Sequence, residues 1–176
     1  MTNQVIENIL ARKSVRSFTQ ESVPEEMIET MLRAAMAAPS SKNRQPAEFV
    51  VITDRAVLDR LAAGLRHAKM LAQAPLAIAV YGQTVCKGPD GAPATNIFWE
   101  QDCAAAVENL LLAAESLGLG AVWTAASDPE RSEVVTHVLG DSGTCRPHCV
   151  IPIGFPAGNE VPKDKWNPSK IHRNRW

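Results

Sequence analysis

Two short stretches carry cations at a spacing that suits an anionic ligand. Arg12, Ser14 and Arg16 stand at i, i+2 and i+4 in the run Arg12-Lys13-Ser14-Val15-Arg16-Ser17-Phe18. In extended chain that spacing puts all three on one face. Two guanidinium groups and a hydroxyl converging on one point suit a phosphate dianion. The same residues also suit an ordinary solvated basic face. Lys163 and Lys165, in Pro162-Lys163-Asp164-Lys165-Trp166, repeat the pattern near the C-terminus and could reach the same phosphate. Between the two lies the loop Pro39-Ser40-Ser41-Lys42-Asn43-Arg44-Gln45-Pro46, fixed by proline at both ends. Its serines, Asn43 and Gln45 are donors and acceptors without fixed charge. They suit the N–H and C=O edge of a heterocycle, or simply good turn chemistry.

Other chemistries lack their residues. There is no G-x-x-x-x-G-K-[ST], no G-x-S-x-G and no H-E-x-x-H. Gly118-Leu119-Gly120 lacks a third glycine and precedes a strand, so it fails the dinucleotide fingerprint. Cys145, His148 and Cys149 are spaced like half a metal clip. Zinc needs four ligands, and Cys86, Cys103, His67, His137 and His172 offer no second paired spacing. Buried thiols near a strand start are the plainer reading.

These groups need elements to position them. A first helix spans Thr2 to about Ala11, with Thr2 as cap and Val5, Ile6, Ile9 and Leu10 as one stripe. A second runs from Pro24 to about Ala38, burying Met27, Ile28, Met31, Leu32 and Ala35. Ala47–Ile52 reads as a short buried strand and Leu76–Tyr81 as another. A third helix, from Asp54 to about Leu65, lies between them. Residues 83–94 read as a Gly/Pro-rich loop. The fourth helix, Trp99 to Leu117, is apolar on more than one side. It is either the centre of a monomer core or partly covered by a second subunit. Gly118–Thr124 forms a third strand. Ser127 and Glu130 make a capping box for a fifth helix ending near Gly140. Cys149–Phe155 forms a fourth strand. Residues 156–176 read as an extended arm that needs a surface, a partner subunit being one candidate. The expected fold is one α+β domain over residues 1–176, a small mixed sheet flanked by helices.

Composition narrows the partners. The 176 residues are 45% hydrophobic and 21% charged, enough for a buried core. Lys+Arg 18 against Asp+Glu 19 points away from nucleic acid. The longest apolar stretch, residues 104–126, is broken by Glu108 and Glu115, so no membrane span is expected. The N-terminus lacks the cationic and apolar regions of a signal peptide. With four cysteines, a reduced cytoplasmic protein is expected.

The order R-x-S-x-R-x-F, then A-P-S-S-x-N-x-Q-P, then an apolar helix leading to G-L-G-A-V-W, then P-K-x-K, resembles the nitroreductase family of flavoproteins. The resemblance spans nearly the whole chain, and the closing Ile171-His172-Arg173-Asn174-Arg175-Trp176 is similar to the tails of short members. It implies a homodimer with two FMN sites at the subunit interface. Arg12, Lys13, Ser14 and Arg16 would hold the phosphate and ribityl end, with Lys163 and Lys165 closing on the same phosphate. Asn43 would bond the pyrimidine edge of the flavin. Ser40 and Ser41 would come from the partner subunit, and Gln45 would shape the loop and touch the ring. Trp123, Thr124 and Ala125 would pass beside the reactive nitrogen and offer a backbone N–H. No catalytic side chain and no metal are expected, because the cofactor carries the chemistry.

The implied activity moves a hydride from NADH or NADPH to FMN and then to an acceptor such as a nitroaromatic or quinone. The alternatives are a flavin carrier or sensor without turnover, another reductive or flavin-consuming enzyme of the same fold, or a Cys/His metal module. Ala47 stands where many members carry an aromatic residue. Residues 83–98 match no family motif and suit a lid near the substrate entrance. Trp176 is expected to pack rather than stack on a substrate.

Overall fold

The computed structural model describes residues 3–176. In chain order its elements are α1 (Gln4–Ala11), α2 (Glu25–Met36), β1 (Ala47–Ile52), α3 (Arg55–Gly64), β2 (Leu76–Gln83), β3 (Val85–Lys87), β4 (Pro93–Thr95), α4 (Trp99–Ser116), β5 (Gly120–Ala121), β6 (Thr124–Ala125), α5 (Pro129–Leu139) and β7 (Cys145–Gly154). The sheet runs β1-β2-β7-β5, with β6 also on β7. Every ladder between these strands is antiparallel. A single parallel bridge, Ser14 to Ala121, ties the N-terminal segment to its margin.

The alternation along β2 explains the layers. Leu76, Ile78 and Val80 face one way and pack with Ile28 and Met31 of α2 and Val107 and Leu110 of α4. Ala77, Ala79 and Tyr81 face the other way, against Leu58 and Leu61 of α3 and Val135 of α5. Helices therefore cover both faces of the sheet. Burying each Leu or Ile in these clusters contributes about 1.5–3 kcal/mol. The α+β class follows from this arrangement, with helices α2 and α4 on the bulky face and α3 and α5 on the small-residue face.

Several boundaries differ from the sequence reading, each for a local reason. Asn3 caps α1, its side chain accepting from the Ile6 N–H at 3.0 Å; the expected cap, Thr2, lies outside the described residues. The α5 cap is Asp128 rather than Ser127, its carboxylate accepting from the Arg131 N–H at 3.2 Å. Pro129 then takes the first helical position, where its missing N–H costs nothing. Strand β1 is an edge strand, and of its residues only Ile52 is buried. Residues 83–98 contain the β3–β4 hairpin, whose turn closes through Gly88 N–H to Ala92 O at 2.7 Å with Gly91 at φ +81°. β7 starts four residues before Cys149, because Tyr81–Gln83 continue the ladder opposite Cys145–Pro147.

α4 is buried on several sides within one chain, through Cys103, Ala106, Val107, Leu110, Leu111 and Ala114. α1 is the opposite case. Its stripe lies at the surface, with Val5 and Leu10 each 65% exposed. The arm, residues 156–176, is exposed almost throughout. Trp176 is fully exposed rather than packed, its ring meeting His172 at a centroid distance of 4.3 Å. No helix of the described residues is long and apolar enough to cross a membrane.

Candidate functional site

Segment 12–16 is fixed by what lies beneath it. Val15 is 1% exposed and sits over Gly120, where an added Cβ would come within 2.6 Å of the valine side chain. The Val15 N–H donates to Ala121 O at 3.0 Å. With Val15 turned inward, Ser14 and Arg16 turn outward by strand alternation. Arg12 and Lys13 reach α4, at 3.5 Å from Glu108 and 2.9 Å from Glu115. Arg16 is exposed and has no carboxylate partner on its guanidinium among the described residues. Its backbone N–H donates to the Glu160 carboxylate at 2.9 Å, which holds that acid below the usual carboxylate range.

Arg16 lines a cavity of about 270 Å³ with Trp123, Thr124 and Ala125. His67, Met70 and Arg131 are also in its wall. The N–H groups of Val122 and Ala126 donate to Pro152 and His148 on β7. By the alternation of a strand, the N–H groups of Trp123 and Ala125 face away from β7. The Thr124 hydroxyl donates to Val150 O, so it is committed to the sheet. What this strand end offers a ligand is backbone.

The loop before β1 is built differently. Lys42, Asn43 and Gln45 have φ of +53°, +52° and +50°. Such left-handed non-glycine residues cost about 1–3 kcal/mol each and cluster at ligand clamps. The loop is closed by Gln45 N–H to Ser40 Oγ and fixed from below by Ser41 N–H to Asp102 Oδ1, both 2.9 Å. Ser40 and Gln45 line a second cavity of about 280 Å³, with Met36, Ala47, Phe49 and Asp102. Asn43 is exposed. Within one chain, then, Arg16 with residues 123–125 and Ser40 with Gln45 face separate cavities. Lys163 and Lys165 are exposed on the arm and line neither.

Two further residues bear on these regions, Asp102, which the sequence reading did not single out, and His148. Asp102 is 9% exposed, and its Oδ2 has no partner. An acid in the buried phase of an apolar helix was the available signal. His148, which the sequence offered only as a metal ligand, lies between Trp99 and Trp123, at centroid distances of 6.0 and 5.4 Å. Neither ring nitrogen has a partner, and burial pushes its pKa below the ordinary histidine value. Burial also pushes the Cys103 thiol up to about 12 and Cys149 well above its usual value, which disfavours the thiolate form at both. Among the described residues no three His, Cys, Asp or Glu side chains form a metal-ligand group.

The chain is similar to known proteins over nearly its whole length. The family model for the nitroreductase family matches residues 9–65 and 62–155. A protein assigned as NADH dehydrogenase/NAD(P)H nitroreductase from Methanothermobacter thermautotrophicus is 38% identical over 173 residues, covering 98% of this chain and 87% of its own. A crystal structure with the same assignment from Bacteroides thetaiotaomicron is 48% identical, with a TM-score of 0.92 and full coverage of both chains. A nitroreductase from Desulfovibrio desulfuricans, solved in complex with FMN, is 29% identical with a TM-score of 0.82, covering 100% of this chain and 99% of its own. A family model that takes in most of the chain, and relatives that match it nearly end to end, place it: the chain belongs to the nitroreductase family.

Proposed function

We propose that the chain is an FMN-dependent NAD(P)H oxidoreductase that works as a homodimer with shared FMN sites. The observation that carries this reading is the convergence of Arg16 with the strand end Trp123–Ala125 on one cavity. The donor set there fits FMN, with a guanidinium free of carboxylate partners for the phosphate end and outward backbone N–H groups at Trp123 and Ala125 for the ring. The chemistry that FMN would supply there, when bound, is hydride transfer from NADH or NADPH to an acceptor such as a nitroaromatic or quinone.

The chain's own residues bind and orient. Arg12, Lys13, Ser14 and Arg16 hold the phosphate and ribityl end, and Lys163 and Lys165 close on it from the arm. Arg12 and Lys13 exchange or share their α4 carboxylates when they do so. Asn43 reads the pyrimidine edge, with Gln45 beside it. Ser40 and Ser41 reach the site from the second copy, which fits Ser40 facing a different cavity within one chain. The surface to be covered by that copy is present. The exposed stripe of α1 borders a cleft of about 710 Å³ against α2 and α4, and the arm is exposed almost throughout. The 176 residues serve as one FMN-binding domain. Four free cysteines fit a reducing, cytoplasmic setting.

The test is a visible spectrum of the purified protein, before and after anaerobic NADH or NADPH, with sedimentation of the same sample. Flavin bands that bleach in a particle of two chains are the expected result. Bands that persist with both donors favour a carrier or sensor. A colourless protein that takes up no added FMN removes the cofactor assignment.

A further inference from the structure

We propose that Asp102 is the positioning residue for the Ser40–Gln45 loop, acting through the Ser41 backbone. The loop stores strain at Lys42, Asn43 and Gln45, and strained backbone persists only where its surroundings over-determine it. The hydrogen bonds that hold it are few. Two are its own turn bonds, Asn43 N–H to Ser40 O at 3.0 Å and Arg44 N–H to Ser41 O at 3.2 Å. A third closes it, Gln45 N–H to Ser40 Oγ. All three lie inside the loop and would travel with it. The bond from Ser41 N–H to Asp102 Oδ1, at 2.9 Å, instead reaches a different element, 61 residues on.

Asp102 is suited to that task. It sits in the first turn of α4, where the helix dipole favours a negative charge. Its own N–H is already bonded to Phe98 O at 3.0 Å, so the residue is fixed by the helix. It is buried, and a charge-assisted bond to a backbone N–H is strong there. Its Oδ2 makes no bond, so the one acceptor that matters is Oδ1. A loop clamped in this way presents Asn43 and Gln45 in one geometry. The effect on flavin binding rests on the FMN reading above; the clamping of the loop does not.

The experiment compares Asp102→Leu and Asp102→Ala, which remove the acceptor, with Asp102→Asn, which keeps one. Amide hydrogen exchange is measured on the protein without FMN. Expected is a loss of protection of about tenfold or more at the amides of residues 41–45 in the Leu and Ala variants, with the sheet amides unchanged. Asp102→Asn should stay within about threefold of the parent. Titration with FMN and with lumiflavin, which lacks the phosphate, should show both weakened by the same factor of about ten in the Leu and Ala variants. Unchanged exchange at residues 41–45 would overturn the proposal. So would equal losses in the Asn and Leu variants, or a loss of protection spread evenly over the chain. A parent protein that binds neither flavin refutes the FMN reading, and the exchange data alone then decide the role of Asp102.

Discussion

Segment 12–16 and the loop 40–45 are both polar stretches that follow a helix, yet they are held by opposite means. The first is anchored in the core. Val15 and Phe18 are 1% and 5% exposed, and backbone bonds run to Ala121 and Phe155. The second has no buried side chain between Ser40 and Gln45. It holds three left-handed residues in place by local bonds and one carboxylate. The contrast teaches that a binding stretch can be made rigid by burying alternate residues or by storing strain against a single fixed acceptor. The first way resists mutation of polar groups and fails when packing fails. The second tolerates repacking and fails when a hydrogen bond is lost.

Gly120→Val attacks the first kind of anchor most directly. An added Cβ would meet the Val15 side chain at 2.6 Å, and a buried β-branched residue cannot swing aside. Overpacking of this kind costs about 1–3 kcal/mol. Urea unfolding should show the unfolding free energy fall by that amount and the midpoint shift down with it, with flavin uptake lost as segment 12–16 lifts. A variant that unfolds at the parent midpoint would mean that the segment is not seated on Gly120.

The matching change in the loop should have the opposite sign. Gln45 holds φ at +50° without a glycine's freedom. Gln45→Gly relieves about 1–3 kcal/mol of strain and loses about 0.5–1 kcal/mol to the entropy of glycine. The net expectation is a gain of roughly 1 kcal/mol in unfolding free energy, together with weaker flavin retention. If stability falls instead, the loop is not strained at Gln45, and the contrast between the two regions narrows.

How much of this was legible in the sequence follows from the same contrast. Alternation along Leu76–Tyr81 and the 3.6-residue phase of α2 and α3 record burial, so these elements could be placed from their residues. The i, i+2, i+4 spacing of Arg12, Ser14 and Arg16 could be seen as well. Where each cation turns could not, because Glu108 and Glu115 lie about a hundred residues away and meet Arg12 and Lys13 only in the fold. The β3–β4 hairpin was hidden by its Gly and Pro content, since three-residue strands leave almost no period to detect. The alpha-5 cap was misplaced by one residue because Ser127 and Asp128 are both good caps, and Pro129 fixes the choice. Left-handed φ at Lys42 and Gln45 leaves no trace in residue type. Only Asn43 hints at it.

The smallest expected effect concerns the joint between segment 12–16 and the arm. The Glu160 carboxylate accepts the Arg16 N–H, and that bond, more than the charge of Arg16, holds its pKa below the ordinary value. A depressed carboxylate pKa stabilises the joint fully above the ordinary glutamate range, and the contribution is lost as pH falls through the folded value. At neutral pH the arm is therefore tied to the segment that lines the cavity. Acidification should loosen this tie without unfolding the core, because Val15 and Phe18 remain buried and the Ala157 N–H still donates to Ser17 O at 2.9 Å. Glu160→Gln keeps an acceptor but loses the charge, so it should weaken the tie slightly at pH 7 and remove its pH dependence. Exchange of the Arg16 amide, corrected for intrinsic rates between pH 6 and 3, reads this directly. A protection factor that stays constant over that range in the parent protein would mean that Glu160 does not hold the arm, and that segment 12–16 is fixed by its buried residues alone.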